Sequence, residues 1–190
     1  MTTRKAKPPL QFAAIDFETA DYGRDSACAV AAVLSDGSRI LDKREYLIRP
    51  PRREFFFSYL HGITWRDVRD KPEFGEVWKG ELSKFLGAAD FFVAHNASFD
   101  KGVLHTCCDE AGHKPPRTQF ICTMKLARQC WGIYPTKLSD VCRKLKIPLK
   151  HHNAASDAIA CAHIVHKAID TGYDIWGMID KGKTRRKNPA

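Results

Sequence analysis

The eight residues Phe12-Ala13-Ala14-Ile15-Asp16-Phe17-Glu18-Thr19 constrain this chain more than any other stretch. Apolar, strand-prone residues lead into two carboxylates separated by a single aromatic. In an extended strand alternate residues share a face, so Asp16 and Glu18 point the same way. Their β-carbons would lie roughly 7 Å apart, which lets both carboxylates reach one small cation. Before Asp16 both faces are apolar, Phe12 and Ala14 on one, Ala13 and Ile15 on the other. That pattern predicts a central strand of an α/β sheet, covered on both sides. The acids then stand at its carboxyl end, where open α/β sheets bind ligands.

Downstream, Asp21–Ser26 reads as a loop and Ala27–Ser35 as a second strand. Asp36-Gly37 is a hairpin turn signal, and Arg39–Ile48 reads as a third strand. Short links between three strands predict an antiparallel meander. An aromatic-rich segment follows, Phe55–Thr64, with Thr64 as a helix cap. Apolar residues at 74, 77, 78, 82, 85 and 86 keep a helical period. Phe91–Ala94 is a short apolar strand running into His95-Asn96-Ala97-Ser98-Phe99-Asp100, which opens a helix reaching about Glu110. Gln119–Cys122 predicts a fifth strand. Helices follow near Thr123–Cys130 and Leu138–Lys146, the second ended by Pro148. The last helix starts after Asn153, a good N-cap, and turns positions 158, 161, 162, 165, 168 and 169 inward.

A length of 190 residues with 44% hydrophobic residues is enough for one domain with a sizeable core. The net charge of +9 is concentrated at the ends. Arg4, Lys5 and Lys7 lie in residues 1–9; Lys181, Lys183, Arg185, Arg186 and Lys187 lie beyond Asp180. Basic tails attract polyanions, nucleic acid first among them, and the low apolar content after Ile179 predicts disorder there. No apolar run reads as a signal peptide or a membrane span, so a cytoplasmic protein without membrane contact is expected. The seven cysteines are odd in number and form no pairing framework, which predicts reduced core thiols. The cluster His105, Cys107, Cys108 and His113 lacks a C-x-x-C knuckle and does not read as a zinc site.

Two further acids occupy positions comparable to the first pair. Asp100 lies just past a strand in the first turn of a helix. Asp157 lies one turn into the final helix, with His152 on the loop before it. Singly each has an ordinary role at a helix terminus or on the surface. Four carboxylates converging on one sheet edge would repel unless cations neutralised them. Their hard oxygens favour Mg²⁺ or Mn²⁺, and two such ions about 4 Å apart suit in-line phosphodiester cleavage.

The ordered segments D-F-E-T (Asp16–Thr19), H-G-I-T (His61–Thr64), H-N-A-S-F-D (His95–Asp100) and H-N-A-A-S-D-A (His152–Ala158) resemble the DEDDh, DnaQ-like 3′→5′ exonucleases. These are relatives of the DNA polymerase III epsilon proofreading subunit. The resemblance runs from about Leu10 to Ala168. It implies a ribonuclease H-like fold, a five-stranded mixed sheet whose first three strands are antiparallel, with helices on both faces. The exonuclease domain would cover residues 10–172, between basic tails at 1–9 and 173–190. Asp16, Glu18, Asp100 and Asp157 would be the metal ligands for two Mg²⁺ or Mn²⁺ ions, and His152 the general base. His151 is the weaker choice, because only His152 fits the spacing His-x-Ala-x-x-Asp. Glu18, Thr19 and Ala20, with His61, Gly62, Ile63 and Thr64, would hold the 3′-terminal nucleotide. Phe99 and the Phe55–Phe57 run are candidates for stacking on unpaired bases, although at least two of Phe55–Phe57 are expected to pack in the core.

The implied activity is removal of nucleoside 5′-monophosphates from a single-stranded DNA 3′ end, as a proofreading or free-standing enzyme. An RNA exonuclease on the same fold is the alternative, since the five catalytic residues read no 2′-hydroxyl. A non-catalytic nucleic-acid-binding module would not need four clustered carboxylates. Two departures stand out. Ala31 occupies a position where many relatives carry glycine. No glutamine-led clamp motif or long polymerase-binding extension follows the domain, which favours a free-standing nuclease over a replisome subunit.

Overall fold

A computed structural model describes residues 11–175 and 177. The expected basic tails lie almost entirely outside those residues, residues 173–175 and 177 excepted. Strands β1 (Phe12–Thr19), β2 (Ala27–Ser35) and β3 (Ile40–Leu47) form the predicted antiparallel meander. β4 (Phe91–Ala94) and β5 (Phe120–Cys122) add in parallel beyond β1. The order is β3-β2-β1-β4-β5, so β1 is central.

The alternation along β1 sorts its side chains into two cores. Phe12 and Ala14 pack with Ala31 and Val33 of β2 beneath α8 (Ala154–Asp170), together with α6 (Thr123–Trp131) and α7 (Leu138–Leu145). Ala13, Ile15 and Phe17 face the opposite layer, made by α5 (Ser98–Glu110) and the helical segment 74–87. Asp16 and Glu18 continue the α8 face past the end of the apolar pattern. The side of α8 toward the sheet carries small residues, Ala158, Cys161 and Ala162, all fully buried, and these allow close approach to β1 and β2. Ala31 sits in that contact, paired with Asp16, so its methyl fills core space. Asn153 caps α8 as expected, its Oδ1 accepting from Ser156 N at 3.0 Å.

The helix predicted over residues 74–86 is built from α3 (Phe74–Val77), a π turn (Trp78–Leu82) and α4 (Ser83–Gly87). Besides Val77, its buried residues Phe74, Trp78, Leu82 and Leu86 recur every four positions. An α-helix of 3.6 residues per turn would rotate that row off the core, and one wider turn restores it. Thr64 caps α2 (Trp65–Val68), the Asp67 carboxylate accepting from its N and Oγ1 at 2.7 Å each. The short α1 (Ser58–His61) precedes it. All seven cysteines are free thiols. Among the described residues no helix is long and apolar enough to cross a membrane.

The loop leaving β1 is fixed by Arg52, whose guanidinium donates to both Asp21 and Asp25 at 2.6–3.1 Å. A Cβ on Gly23 would fall against the Asp25 carboxylate and 2.5 Å from Arg52 Nη2, so a larger residue there would push these side-chain ends out of their pairing. Hydrogen bonds from Arg52 hold both carboxyls below their usual range. Lowered folded-state values stabilise the protein above the unfolded carboxylate pKa of about 4, and the gain is lost as pH falls through the folded values. Arg52→Met is therefore expected to cost about 1–2 kcal/mol at pH 7, a figure discounted for the half-exposed arginine. Urea melts should show the gap to wild type shrinking as the pH is taken below about 4.

Candidate active site

β1 ends in an irregularity. Glu18 pairs with Ala29 but Thr19 pairs with Ala27, leaving Cys28 as an extra residue on β2. A bulge at this point increases local twist and re-aims the strand end. Asp100 arrives from α5, where its Oδ1 accepts from Phe17 N at 3.1 Å and ties that helix to β1. Asp157 arrives from the first turn of α8. These elements open a cleft of about 550 Å³ lined by Asp16, Glu18, Asp100, Asp157, His151 and His152. The five residues expected to carry the chemistry thus come together.

Electrostatics mark the cluster. Asp16 is ringed by protein, though it keeps some contact with solvent through the cleft mouth. Burial raises its carboxyl pKa well above the usual range, and Asp100, Asp157 and Glu18 raise it further. Burial, then Asp157, pushes Glu18 up to about 7. Burial also raises Asp100 and Asp157, against opposing hydrogen bonds from Phe17 N to the first and from His151 to the second. Asp157 Oδ2 accepts from His151 Nδ1 at 3.0 Å and from the backbone N of His152 at 3.2 Å. Its Oδ1 is buried without a partner. An oxygen-only donor set, strained by mutual repulsion and holding one orphaned oxygen, fits hard divalent cations. Among the described residues no three acids, histidines or cysteines are already gathered closely enough to hold a metal ion.

The two histidines differ. The His151 ring is engaged with Asp157, whereas the His152 ring makes no hydrogen bond among the described residues and stacks on His151 at 3.9 Å. His152 has φ +62°, an uncommon conformation for a residue with a β-carbon. Burial, followed by the neighbouring His151, lowers its pKa.

The expected nucleotide-binding residues divide into two groups. Glu18 and Phe99 line the cleft. Thr19 and Ala20 do not: both are buried, Thr19 O is held by His61 Nε2, and Ala20 O accepts from Phe56 and Phe57. The carbonyl of Thr19 can only accept, so His61 Nε2 carries the proton and Nδ1 accepts from Ile63 N at 3.0 Å. This turn, with Gly62 at φ +78°, rests His61–Thr64 on the end of β1 beside the cleft rather than in its lining. Of Phe55–Phe57 only Phe56 is exposed, against Tyr22; Phe55 packs near Ala20 and Val68.

Sequence reasoning missed the facing wall, formed by Met124 and residues Tyr134–Leu138. His95 holds it. His95 Nε2 donates to Thr136 O at 2.8 Å, and its Nδ1 lies 2.8 Å from Thr123 Oγ1. Burial lowers this imidazole to about 4, so the neutral ring bridges the end of β4 and the wall. The one sequence feature that could have marked it is the Tyr134-Pro135 pair between two helices, which the structure leaves exposed.

A mixed five-stranded sheet with four carboxylates at the end of its central strand defines a nuclease of the ribonuclease H-like class. The sequence matches the exonuclease family (RNase_T) over residues 13–165. It is 32% identical over 160 residues to a PolC-type DNA polymerase III from Bacillus cereus, covering 79% of this chain but 11% of the polymerase. The fold is similar to Exonuclease X in complex with 5′ overhanging duplex DNA, with a TM-score of 0.70 and 28% identity. That match covers 90% of this chain and 98% of the other. It is also similar to the nuclease domain of 3′hExo, a DEDDh family member bound to rAMP, with a TM-score of 0.73 and 20% identity over 85% of this chain and 92% of that domain. This chain belongs to the DEDDh, DnaQ-like family of 3′→5′ exonucleases. The family is one of two-metal enzymes, so divalent cations belong to its chemistry.

Proposed function

We propose that the protein shortens DNA from the 3′ end by hydrolysing phosphodiesters and releasing nucleoside 5′-monophosphates, with Mg²⁺ or Mn²⁺ bound at the acid cluster. The observation that carries this reading is the convergence of Asp16, Glu18, Asp100 and Asp157 with two histidines in one cleft. These four acids would hold two cations. When bound, such ions polarise the scissile phosphoryl group and support the entering and departing oxygens. A free imidazole nitrogen of His152 accepts the proton of the attacking water. Phe99, on the cleft wall, stacks on the terminal base, and His61–Thr64 bound the terminal nucleotide from the Glu18 side.

DNA is favoured over RNA by the polymerase relatives, whose first members this chain spans for about a tenth of their length. Labelled at the 5′ end, DNA and RNA oligonucleotides of one sequence separate the alternatives. The expected result is a descending ladder, faster on DNA. Early release of the 5′ label, or internal cuts, would refute the assigned polarity, and faster RNA shortening would reverse the substrate.

A further inference from the structure

The N-terminal half of α5 borders a second concavity, of about 450 Å³, closed on its other side by the loop after α5. Its lining is Lys101, His105, Lys114, Pro115, Pro116, Arg117 and Thr118, with no acid among them. Lys101 and His105 are four residues apart and share one face of the helix. Lys114 and Arg117 are exposed on the opposing loop. Among the described residues none of Lys101, Lys114 and Arg117 has a carboxylate within ion-pairing distance. Like charges lining one groove repel one another, and together they leave it with uncompensated positive charge.

A second observation points the same way. His105 Nε2 is buried and lacks a hydrogen-bond partner. His105 itself lines the groove, and a buried polar atom without a partner is uncommon in a folded protein. The nearest acid along the helix, Asp109, lies outside the lining.

The groove also has a defined place relative to the cleft. Phe99 and Asp100 line the cleft, and Lys101 is the next residue of the same helix. His105 stands about 6 Å further along the axis, from the 1.5 Å rise per residue. A strand that left the cleft over Phe99 and ran along α5 would meet this groove within one or two nucleotides.

We infer that the groove between α5 and the Lys114–Thr118 loop binds backbone phosphates of the nucleic acid whose 3′ end occupies the acid cleft. This rests on the exonuclease reading above. Lys101, Lys114 and Arg117 supply the charge, and His105 forms part of the groove wall. Contacts of this kind position a strand without reading its sequence.

The test is the double variant Lys114→Ala/Arg117→Ala, whose exposed side chains can be removed without touching the core; circular dichroism and melting confirm its fold. Anisotropy of a labelled single-stranded oligonucleotide is followed against salt in EDTA, where no turnover occurs. The slope of log affinity against log salt should become shallower by about 0.7 for each cation removed. Hydrolysis of the p-nitrophenyl ester of thymidine 5′-monophosphate, a single nucleotide too short to reach the groove, should be unchanged. An unaltered slope overturns the inference. Should the wild type leave a 5′-labelled single-stranded DNA intact in the presence of Mg²⁺ or Mn²⁺, the exonuclease reading falls, while the salt slope still judges the groove.

Discussion

Asparagine in place of Asp16 is expected to lower turnover by at least about 10³, because several kcal/mol of charge stabilisation in the transition state depend on the acid cluster. Asp16 lies at the centre of that cluster, with Asp100, Asp157 and Glu18 all raising its pKa. An amide of the same shape removes one buried charge from this repulsion. In EDTA the variant should therefore melt no lower than wild type, and somewhat higher if the acids are fully ionised. Adding Mg²⁺ or Mn²⁺ should raise the melting temperature of wild type but not of the variant. Oligonucleotide binding in EDTA should fall far less than turnover. A variant that retained wild-type turnover would remove Asp16 from the site.

The second large effect is expected at His152. Replacement by glutamine should cut turnover by roughly 10²–10⁴, the usual worth of a positioned base, while leaving cation binding largely intact. His151→Gln offers the internal comparison, since the two rings are stacked at 3.9 Å and both border the cleft. Its ring orients Asp157 through Nδ1. Loss of that support should weaken cation affinity about 10–100-fold, a deficit that raised cation concentration can overcome. No cation concentration should rescue the position 152 variant. The reverse pattern, with 152 active and 151 inactive, would make His151 the base.

Much of this site was legible because β1 carries its own instructions. Two apolar faces required cover on both sides, and the step to Asp16 and Glu18 marked where that cover ends. Asn153 and Thr64 announced their helices through capping chemistry, which is local and so visible in a single sequence. What stayed hidden depends on tertiary contact. The wall from Tyr134 to Leu138 has no periodicity; it joins the cleft only because His95 reaches across to Thr136. Thr19 and Ala20 looked available as part of an acidic motif, but the returning Phe56–His61 segment takes their carbonyls. The π turn at Trp78–Leu82 follows from a four-residue repeat that resembles an ordinary helix until its rotation is counted. Lys101 and the cations Lys114 and Arg117 could not be brought into one groove before α5 and its following loop were in place.

The most direct test of the account is degradation of a 5′-labelled single-stranded DNA by protein stripped in excess EDTA, then restored with Mg²⁺ or Mn²⁺. The account predicts intact DNA in chelator. On restoration it predicts a ladder descending from the 3′ end, with nucleoside 5′-monophosphates as the released product. Undiminished degradation in excess chelator would contradict it.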